Sequence, residues 1–207
     1  VPADLADRSA RAQLLDRIGA LGLVPDILVN NAGLSTTGSV ATSDPQSELN
    51  MIEVDVAAVA DLCSRFLPGM VERRRGALLN VASTAAFQPL PGQAGYGACK
   101  AFVLSYSQSL AGELRGTGVA VTALCPGPVD TAFIETAGFT RQEATSSLPG
   151  FMWVSPERVA KTAVDALARG RLLAIPGAAN RIGAVLSQHA PRRLLIPILA
   201  KNHPSLR

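Results

Sequence analysis

Residues 80–100 read Asn-Val-Ala-Ser-Thr-Ala-Ala-Phe-Gln-Pro-Leu-Pro-Gly-Gln-Ala-Gly-Tyr-Gly-Ala-Cys-Lys. An apolar run over residues 77–82 ends at Ser83, and a connection rich in proline and glycine follows it. A helical pattern then begins near Gly95 and continues to about Arg115. The order of buried strand, loop and helix places Ser83 and the start of the helix at the edge of a parallel sheet where ligands bind.

Tyr96 and Lys100 are four residues apart, so a helix places them on the same face. An ammonium beside a phenol favours the phenolate and would lower the pKa of Tyr96 from its ordinary value of about 10. Such a tyrosine can act as a general acid or base, and Ser83 could hold a substrate oxygen by a hydrogen bond. The same spacing also suits a surface tyrosine beside a solvated lysine, so the rest of the sequence has to decide.

The composition predicts a globular protein. The 207 residues are enough for one domain with a sizeable core, and 48% of them are hydrophobic while 17% are charged. Only 4% are aromatic and no nucleic-acid-binding motif is present, so we expect no nucleic-acid partner. Cys63, Cys99 and Cys125 lack the spacing of metal ligands, which favours reduced thiols in a cytoplasmic protein without a metal site.

The formal net charge of +3 is unevenly distributed, because residues 155–207 hold nine Lys or Arg and only two acidic residues. This basic region includes a helical tail at residues 178–207. Two interpretations stay open. The tail could contact an acidic partner or an anionic membrane surface, or its charges could form a solvated face.

Apolar runs alternate with helical patterns along the chain. The runs at 26–30, 77–82, 119–124 and 172–175 predict strands, and the start of the chain resembles the end of another. Between and after them, helical patterns cover residues 7–20, 46–75, 95–115, 155–169, 180–189 and 192–200. This alternation predicts one α/β domain over residues 1–207, a doubly wound, Rossmann-like parallel sheet in three layers. Residues 132–155 are expected to form a long irregular insertion.

Four motifs occur in a fixed order, and together they are far more specific than any one alone. They are Asp4-Leu5, Asn30-Asn-Ala-Gly33, the group Ser83, Tyr96 and Lys100, and Pro126-Gly-Pro-Val-Asp-Thr131. In their order and spacing, most of residues 1–177 resembles the short-chain dehydrogenase/reductase family.

The resemblance implies an oxidoreductase that uses NAD or NADP to interconvert a secondary alcohol and a ketone. Tyr96 would transfer the proton, Ser83 would orient the substrate oxygen, and Lys100 would lower the pKa of Tyr96 and bind the nicotinamide ribose. The cofactor-binding positions that it implies are Asp4, Leu5, Asn31, Ala32, Gly33, Tyr96, Lys100, Pro126, Gly127, Val129 and Thr131.

Several of these positions have individual expectations. Asp4 would lie beside the adenine ring, although it could equally cap a helix. The backbone of residues 31–33 would approach the adenosine ribose, since glycine leaves room there. Thr131 would hydrogen-bond the carboxamide, whereas Asn30 is expected to be structural and to tie strands together.

The sequence departs from the family at Asp55, where the family usually has an asparagine. That asparagine bends its helix, and its main-chain carbonyl holds a water that relays protons to the lysine. We therefore count Asp55 as a fourth candidate catalytic residue. A carboxylate at this position would stabilise the ammonium of Lys100, which is either tolerated or slows proton exchange.

A second departure is that the sequence has no counterpart of the family's first strands or of its Thr-Gly-x-x-x-Gly-x-Gly phosphate turn. We expect either a fragment or an uncounted upstream segment. Residues 27–30 would then form an exposed edge strand, and residues 1–207 alone would aggregate and bind no dinucleotide. A truncated or non-catalytic relative that acts as a binding protein is therefore the alternative function.

Two further expectations come from the resemblance. Residues 132–155 occupy the position of the substrate loop, where aromatic residues would close over a lipophilic substrate or pack permanently on the core. The protein would form a homodimer or homotetramer through its two long helices. The apolar residues taken as the basis for that interface are Phe66, Phe102, Val103, Tyr106 and Leu110.

Overall fold

The computed structural model describes residues 1–206, apart from the side chains at positions 144, 146, 147, 202 and 204. Four strands form one sheet in the order β1-β2-β3-β4, and every neighbouring pair is parallel. The strands are β1 Ile27–Asn30, β2 Gly76–Val81, β3 Val119–Leu124 and β4 Leu173–Ala174. The predicted parallel α/β sheet is therefore confirmed.

Nine α-helices surround the sheet within the described residues. They are α1 Arg8–Gly19, α2 Pro45–Ile52, α3 Ala58–Glu72, α4 Ala94–Glu113, α5 Phe133–Thr136, α6 Arg141–Ser147, α7 Pro156–Ala168, α8 Ala178–His189 and α9 Arg192–Asn202. Short 3-10 helices occur at Val40–Thr42, Thr84–Phe87, Gly150–Met152 and Pro204–Leu206. Two predictions were wrong: residues 1–5 form no strand, and the insertion at 132–155 is largely helical rather than irregular.

Alternating side chains of the strands face two different layers of helix. Leu78 packs in the main core with Phe66 of α3 and Val103 of α4. The next residue, Leu79, points to the opposite face and packs with Ala163 of α7. This period of two is the geometry of a strand buried on both sides, and it confirms the three-layer arrangement.

Local sequence signals determine where the helices begin. Ser155 caps α7 by accepting a hydrogen bond from the backbone N–H of Arg158, and Pro156 occupies the first turn. Asp7, not Asp4, caps α1 by accepting from the N–H of Ser9. The helix-cap alternative for Asp4 was therefore wrong.

The long helix predicted over residues 46–75 is interrupted. A π-helical segment, Glu53–Ala57, joins α2 to α3, and it contains the buried residue Asp55. An extra residue in one helical turn changes the direction in which the following side chains point, and such segments are frequent at functional sites. The helix therefore divides into two pieces at the segment that contains Asp55.

A buried chain of polar side chains ties the sheet to α4. Asn30 Nδ2 donates to Asn80 Oδ1 at 2.8 Å, and Asn80 Nδ2 donates to Ser107 Oγ at 2.9 Å. Ser107 Oγ in turn donates to the carbonyl of Val103 at 2.7 Å. The prediction that Asn30 ties strands together is confirmed.

The residues proposed for a subunit interface have different surroundings. Phe66, Val103 and Leu110 are 6%, 1% and 6% exposed, because they form part of the core of this chain. They therefore give no basis for predicting an interface. Phe102 is 37% exposed, and its ring stacks on Tyr106 with 5.4 Å between the centroids.

Strand β1 lies at one edge of the sheet, as expected, and in residues 1–206 it pairs with β2 alone. Ile27 and Val29 are 57% and 51% exposed, while Leu28 between them packs against the main core. An exposed apolar edge strand can pair with other chains. Among the described residues, no helix is both long and apolar enough to cross a membrane.

We predict that Val29→Lys reduces aggregation of the 207-residue chain. A lysine on an edge strand discourages pairing with another chain, and the change should alter the free energy of unfolding by only about 0.5 kcal/mol. Light scattering of concentrated protein and urea unfolding would measure the two effects.

Leu28→Lys is the matched control, because it places the same side chain on the core-facing side of β1. It should lower the free energy of unfolding by about 1.5–3 kcal/mol and increase aggregation. Equal aggregation of Val29→Lys and the parent chain would contradict the assignment of β1 as the aggregating edge.

Candidate active site

The predicted site segments follow the carboxyl ends of three adjacent strands. Residues 31–33 follow β1, Ser83 follows β2 after one residue, and residues 126–131 follow β3. Two hydrogen bonds continue the pairing beyond the strands, from the N–H of Ala82 to Leu124 O at 2.8 Å and from the N–H of Thr84 to Pro126 O at 2.8 Å. The three segments therefore meet at the edge of the sheet where ligands bind in open α/β folds.

Helix α4 brings Tyr96 and Lys100 to this edge. Lys100 Nζ lies 5.6 Å from the centroid of the Tyr96 ring, and the lysine side chain is 6% exposed. The ammonium also donates to the carbonyl of Val81 at 3.2 Å. The helical spacing therefore places the phenol and the ammonium together, as predicted.

Ser83 lies between the end of β2 and the segment after β3. Its hydroxyl accepts from the N–H of Ala85 at 3.1 Å and donates to the carbonyl of Pro126 at 3.5 Å. It also interacts with the hydroxyl of Tyr96. The structure thus brings together Ser83, Tyr96 and Lys100.

The pKa of Tyr96 is raised, which is opposite to the predicted direction. Burial of the phenol is the largest cause, because it disfavours the phenolate. Lys100 and the hydrogen bond with Ser83 lower this pKa, while Asp55 raises it. The spacing correctly predicted the direction of the lysine's effect but contained no information about burial.

Asp55 forms a buried ion pair with Lys100. The distance from Asp55 Oδ2 to Lys100 Nζ is 2.9 Å, and the side chains are 0% and 6% exposed. Asp55 Oδ1 accepts a hydrogen bond from the N–H of Leu34 at 2.7 Å. A Cβ added to Gly33 would lie 3.1 Å from Asp55 Oδ2 and 3.2 Å from Lys100 Nζ, so glycine allows the close packing here.

The three cysteines are free and buried. Burial raises the pKa of Cys99 to about 11 and that of Cys125 to about 12. Both therefore remain neutral thiols at pH 7, and neither has the thiolate character of a nucleophile.

The positions implied for cofactor binding have varied surroundings. Asp4 Oδ1 accepts from the N–H of Ala6 at 2.9 Å, and the carbonyl of Leu5 accepts from Arg11. Asn31 and Ala32 are exposed at the end of β1. Thr131 Oγ1 accepts from the N–H of Phe133 at 3.3 Å, and Val129 forms a parallel bridge with Val154.

Phe133 of the insertion reaches the candidate catalytic group. Its ring centroid lies 6.0 Å from that of Tyr96, with 41° between the ring planes. Phe151 of the same insertion is 76% exposed and points away from any close packing. The insertion therefore contributes an aromatic side chain next to the phenol and a second one that is open to solvent.

Sequence reasoning missed Asn180, which extends from α8 to the segment after β3. Asn180 is 1% exposed, and its Nδ2 donates to the carbonyls of Met152 at 2.9 Å and Pro176 at 3.1 Å. A Cβ on Gly127 would lie 2.4 Å from the Asn180 side chain, so only glycine fits there. A single asparagine in a helical pattern carries no signal that would have identified this contact.

The end of the tail also returns to the site loops. His203 Nδ1 lies 2.7 Å from Ser205 Oγ, and His203 Nε2 lies 3.4 Å from Oε1 of Gln93, the residue that precedes α4. The His203 ring also contacts Phe139 of the insertion, at 6.0 Å between centroids. Arg192 donates to the carbonyl of Phe87 in the loop after Ser83. The tail thus contacts the loops on either side of Tyr96.

The family model described as short chain dehydrogenase matches residues 1–141 of this chain. The chain belongs to the short-chain dehydrogenase family. The four motifs all lie within the matched residues, so the resemblance noted in the sequence is confirmed.

Similar proteins include two bacterial oxidoreductases and one solved structure. The probable oxidoreductase EphD of Mycobacterium tuberculosis is 35% identical over 137 residues, which cover 66% of this chain and 23% of that protein. An uncharacterized oxidoreductase of Myxococcus xanthus is 41% identical over 130 residues, covering 60% and 51%. A short-chain dehydrogenase from Sphingobium yanoikuyae in complex with NADPH has a TM-score of 0.76 and 28% identity, covering 94% of this chain and 73% of that one.

The matched region spans about half or less of the two relatives' own length. The family and the fold of this chain are established by the match. Its activity, substrate and partners are proposals, because the match covers only part of each relative.

We predict that Asn180→Ala loosens the end of the insertion. The carbonyls of Met152 and Pro176 lose their donor, which should lower the free energy of unfolding by about 1–3 kcal/mol. Trp153 is the one tryptophan of the chain and adjoins Met152, so its fluorescence emission should shift to longer wavelength.

Gln188→Ala, at an exposed position on the same helix, is the control and should leave emission and stability unchanged. If Asn180→Ala behaves like this control, Asn180 does not hold the insertion in place.

Proposed function

We propose that the protein is an oxidoreductase that uses NAD or NADP to interconvert a secondary alcohol and a ketone. The observation that carries the proposal is the grouping of Ser83, Tyr96 and Lys100 at the carboxyl edge of the sheet. In a member of the short-chain dehydrogenase family, this is the combination of a hydroxyl donor, a phenol and an ammonium that carbonyl reduction needs.

The residues at the sheet edge suit a dinucleotide. Residues 31–33 present backbone at the end of β1, with Asn31 and Ala32 exposed, and Lys100 and Thr131 supply hydrogen-bonding groups. The positions that would hold the cofactor are Asp4, Leu5, Asn31, Ala32, Gly33, Tyr96, Lys100, Pro126, Gly127, Val129 and Thr131. A bound nicotinamide supplies or accepts the hydride.

The chain's own residues would control the proton. In reduction, Tyr96 donates its phenolic proton to the substrate oxygen, which Ser83 holds by a hydrogen bond. Lys100 stabilises the phenolate that remains, because its ammonium lies 5.6 Å from the ring centroid. The burial that raises the pKa of Tyr96 keeps the phenol protonated before the reaction.

The substrate is proposed to be lipophilic. Phe133 lies beside Tyr96, and Phe139 of the same insertion packs against His203 of the tail. An apolar wall next to the proton donor favours ketones with apolar substituents. Whether the insertion moves when substrate binds stays a prediction.

A homodimer or homotetramer is also proposed, with the exposed stacked pair Phe102 and Tyr106 as its apolar contact. Three free buried cysteines support a cytoplasmic location. Sedimentation over a dilution series would contradict the proposed oligomer if it showed a monomer throughout. Cell fractionation would contradict the proposed location if it showed that the protein is exported.

We predict that Tyr96→Phe in the full-length protein lowers ketone reduction by about 100-fold or more and leaves dinucleotide binding nearly intact. The substitution removes the hydroxyl and keeps the ring. Turnover would be followed by NADH and NADPH absorbance, and binding by nicotinamide fluorescence.

Tyr106→Phe removes the only other tyrosine and should retain the parent rate. A Tyr96→Phe rate near that of the parent would refute the catalytic assignment. A parent protein that binds dinucleotide but turns over no alcohol or ketone would favour the alternative, a non-catalytic binding protein.

For substrate preference, we predict that Phe133→Ala lowers kcat/KM for acetophenone about tenfold and changes that for acetone far less. Phe133 contacts the site and Phe151 is open to solvent, so Phe151→Ala is the matched control and should match the parent. A parent enzyme that turns over only small, highly polar alcohols would contradict the lipophilic substrate.

A further inference from the structure

Asp55 joins three parts of the site through its two oxygens. Oδ2 pairs with Lys100 Nζ on α4 at 2.9 Å, and Oδ1 accepts from the N–H of Leu34, in the loop after β1, at 2.7 Å. Asp55 itself belongs to the π-helical segment between α2 and α3. A single carboxylate therefore connects the α2–α3 bend, the loop that follows β1 and the catalytic helix.

The same carboxylate changes the charge that Tyr96 experiences. Lys100 lowers the pKa of Tyr96, whereas Asp55 raises it, and the two side chains are in direct contact. An ammonium paired with a carboxylate acts on a third group as a dipole rather than as a full charge, so its effect falls off faster with distance. The ion pair therefore weakens the effect of Lys100 on the phenol.

We propose that Asp55 is a positioning residue that fixes Lys100 against the loop at residues 33 and 34 and offsets the positive charge that Lys100 presents to the Tyr96 ring. The inference rests on the proposed function and deepens it, because it states which residue sets the charge beside the proton donor.

The other groups near Tyr96 do not replace the lost positive charge. Lys100 is the cation that acts on Tyr96 among the described residues, and Cys99 on the same helix raises its pKa slightly. Glu48 of α2 has its carboxylate against Gly95, the residue before Tyr96. The environment of the phenol is therefore apolar and close to neutral or negative.

The pH dependence follows from the direction of the shift. Reduction needs the protonated phenol, which persists up to the folded-state pKa, and this pKa is raised above the ordinary value of about 10. Oxidation needs the phenolate and is therefore delayed to higher pH. Removing the Asp55 charge should move both limits to lower pH.

The experiment uses the fact that the chain has two tyrosines. Tyr106→Phe leaves Tyr96 as the single phenol, and its ionisation is followed by ultraviolet absorbance of the phenolate without any cofactor or substrate. In this background, Asp55→Asn should lower the titration midpoint by about one pH unit or more, a tenfold change in proton affinity. The amide oxygen of Asn can still accept from Leu34, but Lys100 loses its charged partner, so circular dichroism checks that the variant is folded before it is titrated.

Glu53→Gln is the matched control. Glu53 belongs to the same π-helical segment, but it pairs with Arg8 and Arg11 instead of Lys100, so its substitution should leave the midpoint unchanged. An equal shift in both variants would show a general effect of net charge and would overturn the specific role of Asp55.

Two other outcomes would also overturn the proposal. One is an unchanged or higher midpoint in folded Asp55→Asn. The other needs only the Tyr106→Phe protein: a midpoint at or below the ordinary tyrosine value of about 10 would show that Asp55 does not offset the effect of Lys100 on the pKa of Tyr96. Either result leaves the proposed oxidoreductase function standing, because that function is tested by the loss of turnover in Tyr96→Phe.

Discussion

The arrangement of the candidate site depends on one buried ion pair, between Asp55 and Lys100. Moving two charges out of water is costly, and removing one partner of such a pair typically costs about 3–5 kcal/mol because the other is left uncompensated. Here each group also makes one further hydrogen bond. Leu34 donates its N–H to the carboxylate, and the carbonyl of Val81 accepts from the ammonium. The pair therefore constrains four elements of the chain relative to one another, and the position of Tyr96 follows from that of Lys100.

The π-helical segment lets two acidic residues serve two different neighbours. Glu53 pairs with Arg8 and Arg11 of α1, whereas Asp55 faces α4. Residues two apart on a helix point to different sides, so the interior carboxylate and the outer one do not compete for the same cations. The bend in the long helix thus secures α1 on one side and the lysine of the active site on the other.

The sequence predicted the parts of the structure that depend on local signals. Short apolar runs identified the four strands, the helical pattern from residue 155 located α7, and the Tyr96–Lys100 spacing placed two groups on one helical face. The predicted direction of the Tyr96 pKa shift was wrong, because burial raises this pKa and burial depends on how distant segments pack. Phe66 is one of the apolar residues misassigned to a subunit interface for the same reason, since periodicity does not distinguish the core of a chain from a contact between chains.

The tail illustrates the limit of local signals most clearly. Its basic charge suggested either a solvated face or a surface for a partner. Several of its residues instead pack against the segments that surround the candidate site. Asn180 fills the volume that Gly127 leaves beside the segment after β3, and His203 lies against Gln93 at the start of α4. Arg192 is exposed but donates to the carbonyl of Phe87. The loops on either side of Tyr96 therefore depend on residues about a hundred positions away from it in the sequence, which no local pattern connects to them.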